Sequence, residues 1–129
     1  MVELTLEPYA VLQQWSLPVP NIQWNVILAD YLQSLARQCQ QATGNFLGHI
    51  KALAIFPNGG YLRISVVDPQ RSPIVEGNVP PGITTLELTL NLIVYGPKND
   101  FLKQIIEKTA GEFASKWNGE VTSQANHHH

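Results

Sequence analysis

The chain has 129 residues, 44% of them hydrophobic and only 14% charged, where soluble domains usually carry about 25% charged residues. That length suffices for one core of ordinary size and excludes two or more full domains. Eight basic residues against ten acidic ones give a formal charge of −2, which argues against a nucleic-acid partner, because a phosphate-backbone footprint needs clustered Lys and Arg.

Residues 2–7 alternate apolar and polar, so that Val2, Leu4 and Leu6 share one face of an expected strand. Pro8 suits the first position of a short helix over residues 9–15, which Leu17-Pro18-Val19-Pro20 ends as an extended connector. Asn21 is placed to cap a long helix reaching to about Ala42. Its stripe is Trp24, Ile27, Leu28, Tyr31, Leu35 and Cys39, recurring at three- and four-residue steps, and Thr43-Gly44 closes it. With Val26 and Ala29 on the opposite side, the start of that helix reads as covered on both faces.

Residues 46–56 and 61–67 read as the strands of a hairpin about Asn58-Gly59-Gly60. A two-residue Asn58-Gly59 turn puts His49 and Lys51 on the same face as Leu53, Ile55, Leu62, Ile64 and Val66. A three-residue turn with a glycine bulge instead groups Ile50, Ala52, Ala54 and Phe56 with Leu62, Ile64 and Val66, and turns His49, Lys51, Arg63 and Ser65 the other way. The second register is favoured because it buries no unpaired charge.

Residues 68–83 hold Pro69, Pro73, Pro80 and Pro81 with Gly77 and Gly82, which excludes a helix or a central strand. They read as a loop of about 16 residues, either an arm reaching to a neighbour or a lid carrying Arg71, Glu76 and Asn78, with the arm favoured. Residues 84–95 alternate most clearly, with Leu86, Leu88, Leu90, Leu92 and Val94 on one face and Glu87, Thr89 and Asn91 on the other. Gly96-Pro97 ends that strand, and Asn99 is placed to cap a second helix with the stripe Leu102, Ile105, Ile106, Thr109, Ala110, Phe113 and Trp117, ending at Asn118-Gly119.

The expected architecture is therefore α+β: an antiparallel sheet of three to four strands with two main helices packed on one face, forming a single domain over residues 1–121. Residues 122–129 read as a polar tail, whose His127, His128 and His129 are set aside as a candidate affinity-tag stub. The acidic N-terminus argues against a signal or transit peptide. One cysteine, Cys39, excludes an intramolecular disulfide framework, so the expected localisation is cytoplasmic. No apolar run approaches the roughly 20 residues of a membrane span, so no membrane partner is expected.

No motif for catalysis, nucleotide binding or a metal is present. Gly59-Gly60 lacks the lysine and helix of a phosphate-binding loop, no Gly-x-Ser-x-Gly elbow occurs, and His49 and Cys39 are too few for a metal site, so no cofactor or metal is expected. Chemistry concentrates on the outer sheet face, where His49, Lys51, Arg63, Glu87 and Asn91 are candidate ligand-binding residues for a small anion. The plainer reading of that set is an ordinary solvated face with weak surface ion pairs. Leu53, Ile55, Val67, Ile93 and Tyr95 lie toward the ends of the same face and are candidate interface residues.

Seven charges, Lys98, Asp100, Lys103, Glu107, Lys108, Glu112 and Lys116, fall in the second helix segment. The expected function is a small binding or assembly module that self-associates as a homo-oligomer, without catalysis. The alternative is a small enzyme or anionic small-ligand-binding protein that uses the polar sheet face.

Overall fold

The alternation of residues 84–95 becomes the spine of the molecule. A computed structural model describes residues 8–19 and 23–125, and in it β5 (Thr85–Val94) buries Leu86, Leu88, Leu90, Leu92 and Val94 on one side. The other strands are β1 (Tyr9–Ser16), β2 (Gly48–Ile55), β3 (Tyr61–Val66), β4 (Ile74–Asn78) and β6 (Glu120–Ala125), with helices α1 (Trp24–Thr43) and α2 (Asn99–Ser115). The sheet runs β4-β3-β2-β5-β1-β6, every neighbouring pair antiparallel.

The α+β class and the antiparallel sheet agree with expectation, but the described sheet has six strands where three to four were expected. Three segments account for the difference. Residues 9–15, expected as a short helix, form β1 instead. The inward residues are Val11, Gln13 and Trp15, and a buried glutamine in the middle hides the period-two pattern. Pairing with β5 on one side and β6 on the other satisfies the backbone groups that a helix would have bonded internally.

Within the expected loop over residues 68–83, the five residues between Pro73 and Val79 pair with β3 as edge strand β4. All five are exposed, and no proline lies inside the strand. An edge strand needs only one hydrogen-bonding side and little apolar pattern. The segment thus extends the sheet and serves neither as a lid over the face nor as a projecting arm. Likewise Thr122 to Ala125, read as polar tail, complete β6 beside β1. The strand expected over residues 2–7, the Asn21 cap and the terminal histidines lie outside the described residues.

The β2–β3 hairpin adopts the favoured face grouping: Ile50, Ala52, Ala54 and Phe56 are buried with Leu62, Ile64 and Val66. The three-residue loop is Pro57-Asn58-Gly59, one residue earlier than expected. Gly59 donates its N–H to the Phe56 carbonyl at 3.1 Å, Phe56 donates to the Gly60 carbonyl at 3.0 Å, and Gly59 takes the left-handed conformation (φ 91°) that makes the bulge.

Both helices lie on the face that carries these buried residues, α1 over β2 and β3, α2 over β1 and β6. The expected α1 stripe is buried in full. The described residues do not cover its opposite side, since Val26 is 45% exposed. α2 begins at Asn99 itself, with Lys98 in the capping position. Phe113 is half-buried and Trp117 exposed, so the expected stripe of α2 ends one turn early. Lys103, Glu107, Lys108 and Glu112 face outward, which places the charge concentration on the solvated side of this helix. No helix among the described residues is long and apolar enough to cross a membrane.

At the centre of the core sits a polar knot. The Gln13 side chain is fully buried; its carbonyl oxygen accepts from Trp15 Nε1 at 3.1 Å and from the Tyr31 hydroxyl at 3.2 Å, and its amide donates to Ser123 Oγ at 3.0 Å. Trp15 meets Tyr31 edge-on at 5.2 Å between ring centroids, and Tyr31 meets Phe113 at 5.8 Å. One glutamine therefore ties β1 to α1 and β6, and the aromatic chain carries the contact on to α2. Burial raises the Tyr31 phenol well above its ordinary pKa, so it remains a neutral donor to Gln13.

Cys39 is also solvent-inaccessible, and burial pushes its thiol up from 9.0 to about 11. Because the folded pKa lies above the unfolded one, this contribution to stability is complete below about pH 9 and is lost as pH rises toward 11. Denaturant melts between pH 8 and 11 should show a loss approaching ~2–3 kcal/mol from this group. Cys39→Ala should flatten that slope while lowering stability at pH 8 through the lost packing. An unchanged slope in the variant would assign the alkaline loss elsewhere.

Candidate functional site

Among the described residues no helix lies on the opposite face of the sheet, and strand register determines which side chains meet there. Ser65, Lys51, Asn91 and Ala10 lie side by side across β3, β2, β5 and β1. The next row is Glu76, Arg63, Leu53, Thr89 and Leu12, and the one beyond it Asn78, Tyr61, Ile55, Glu87 and Gln14. Polar and apolar residues are thus interleaved across the face, with no fully buried charge.

Of the five candidate ligand-binding residues, three come together. Lys51, Arg63 and Asn91 line one open concavity of about 300 Å³, together with Leu53, Ser65, Ile74 and Glu76. Lys51 and Asn91 are direct cross-strand partners, and Arg63 is diagonal to Lys51, a separation within reach of long side chains. The Arg63 guanidinium lies 5.5 Å from the centroid of the Tyr61 ring, a cation–π contact that orients it.

His49 and Glu87 stand apart from this concavity. His49 is one row further along β2, paired with Ile93. Glu87 lies toward the other end of β5, where it accepts a 3.2 Å hydrogen bond from the Gln14 side chain. Lys51, His49 and Glu87 therefore do not meet in one group.

The candidate interface residues occupy the two ends of the face. Ile55 is 46% exposed beside Tyr61 at 47%, while Val67 and Tyr95 are exposed at the His49 end, where Ile93 is half-buried. Leu53 is half-buried between them, in the wall of the concavity. Leu47, exposed and hydrogen-bonded through its carbonyl to the Tyr95 N–H at 2.8 Å, extends the apolar end.

Sequence reasoning missed Ile74 as part of the site and left Glu76 in the expected loop over residues 68–83, on a lid only in the less favoured of its two readings. Both are brought to the concavity by β4, directly opposite Ser65 and Arg63. The signal available was the alternation of Ile74, Glu76 and Asn78 between two prolines, with Gly77 on the opposite face. Among the described residues no group of three or more His, Cys, Asp or Glu converges to hold a metal ion.

No family model matches the chain, and no curated protein matches it. Among solved structures, it is similar to an amidase of the hydantoinase/carbamoylase family from Burkholderia multivorans, at 12% identity and a TM-score of 0.43, over 93% of this chain and 27% of that one. At that identity and score the likeness bears on neither site nor chemistry.

Proposed function

We propose that this chain is a non-catalytic binding and assembly module, cytoplasmic, whose outer sheet face is its working surface and whose partner there is a second copy of itself. The observation that carries this reading is a face that no described residue covers, with apolar residues exposed at both ends, Ile55 and Tyr61 at one and Val67 and Tyr95 at the other. Lone apolar residues on a surface mean little, but clusters flanking a polar centre fit a covered face. The charges support a symmetric pairing: Lys51 and Arg63 sit on β2 and β3, Glu87 and Glu120 on β5 and β6, with Glu76 at the β4 edge. A two-fold axis that lays one half of the face over the other brings the half with Lys51 and Arg63 over the half with Glu87 and Glu120, Glu76 at the edge being the exception.

Sedimentation equilibrium at tens of micromolar chain should return a dimer or larger closed oligomer. Ile55→Glu combined with Val67→Asp, both at exposed positions, should raise the dissociation constant by roughly 100-fold while leaving the monomer folded. A wild-type chain that stays monomeric across that range overturns the proposal.

A second reading, capture of a small anion, is favoured by one specific arrangement: Lys51, Arg63 and Asn91 share a concavity. Cations at diagonal positions with an amide beside them present several donors to one acceptor group.

A further inference from the structure

Resting on that second reading, we propose that the concavity between β2, β3 and β4 takes a monocarboxylate with a compact apolar body. Arg63 has Glu76 directly opposite it on β4, yet the one ion pair among the described residues is Arg71 with Asp68. Arg63 lies over the Tyr61 ring instead, 5.5 Å from its centroid. A guanidinium held near a ring, with no described acid within bonding distance, keeps its fork of donors available for a carboxylate. Lys51, diagonal to Arg63, adds a second positive charge, and its cross-strand partner Asn91 adds an amide donor to the same hollow.

The negative rim decides the charge of the occupant. Glu76 also lines the concavity, so a single negative charge placed toward Lys51 and Arg63 is favoured. A dianion such as phosphate meets repulsion from the same carboxylate. The apolar side chains set among the charges decide the rest. Leu53 and Ile74 face the hollow, and Ile74 is 57% exposed in the free chain, apolar surface that a ligand body would remove from water. A volume of about 300 Å³ is at the small end of ligand pockets and suits a body of a few carbon atoms.

The test is a titration of the full chain followed by amide NMR shifts, using 4-methylpentanoate, its neutral analogue 4-methylpentanamide, and inorganic phosphate. The carboxylate should saturably shift the amides of Lys51, Arg63, Ser65 and Ile74, with the neutral analogue and phosphate each about 10-fold weaker or worse. Arg63→Gln should weaken the carboxylate by about 10-fold, and Lys51→Gln, exposed on β2, gives the same reading should Arg63→Gln fail to fold. Ile74→Ser should weaken the carboxylate several-fold and leave phosphate unchanged. Phosphate bound as tightly as the carboxylate, with Ile74→Ser silent, overturns the apolar monocarboxylate and leaves the anion reading standing. Absence of saturable shifts with either anion overturns both.

Discussion

Gly48→Ala is expected to destabilise this protein by about 3 kcal/mol or more, enough to consume a large part of the stability of an ordinary domain. Gly48 opens β2 with φ at 135°, a conformation that side-chain-bearing residues rarely adopt, and a Cβ there would overlap the carbonyl oxygen of Ile93 on β5. The overlap is with backbone of the central strand pair, so it cannot be relieved by a rotamer change; β2 and β5 must separate locally where Gly48 pairs with Val94. Urea melts compare Gly48→Ala with Gly111→Ala, a control in α2 where the new methyl meets nothing within 4 Å. The control should be neutral or stabilising by up to ~1 kcal/mol, as expected for Gly to Ala in an exposed helix. Equal effects from the two substitutions would show that β2 does not approach β5 as closely as described.

The second large effect is expected at Gln13. Gln13→Leu preserves approximate volume and adds apolar surface to the core, yet it should cost ~2–4 kcal/mol. The Trp15 indole N–H and the Tyr31 hydroxyl lose the one acceptor they share, and both are buried. Adding Tyr31→Phe removes one of the two orphaned donors, so Gln13→Leu should cost about 1 kcal/mol less in that background than alone. Denaturant unfolding followed by tryptophan fluorescence reads both terms. Additive effects would mean that Gln13 contributes through packing and not as a hydrogen-bond acceptor.

That glutamine also explains why the first strand was illegible. Residues 9–15 carry Val11 and Trp15 inward with a polar side chain between them, and period-two reading fails when the middle member of a buried row is an amide. The justification for burying it, a tyrosine from α1 and a serine from β6, is supplied by segments 18 and 110 residues away. The two edge strands were hidden for a different reason. β4 and β6 are held by backbone pairing along one side, and neither displays the apolar row by which β5 announces itself. In β2 and β3 the opposite held: the cost of burying Lys51 and His49 was enough to select the correct face, although the loop itself moved by one residue.

The same division runs through the candidate site. Lys51, Arg63 and Asn91 were identifiable as outward residues of alternating strands, because alternation alone assigns the face. Which of the outward residues are neighbours depends on register and strand order. These separated His49 and Glu87 from the cationic group and brought in Ile74 and Glu76 from a segment that had read as loop.

The sequence by itself determined the class, the two helices with most of their buried stripes, the central strand β5 and the inward face of the β2–β3 hairpin, since each follows from local periodicity and from the cost of burying charge. Only the tertiary structure decided that the described sheet is six strands wide, the place of Gln13 in the core and the membership of the concavity. Those rest on hydrogen bonds and contacts between segments far apart in the chain, and no local pattern records them.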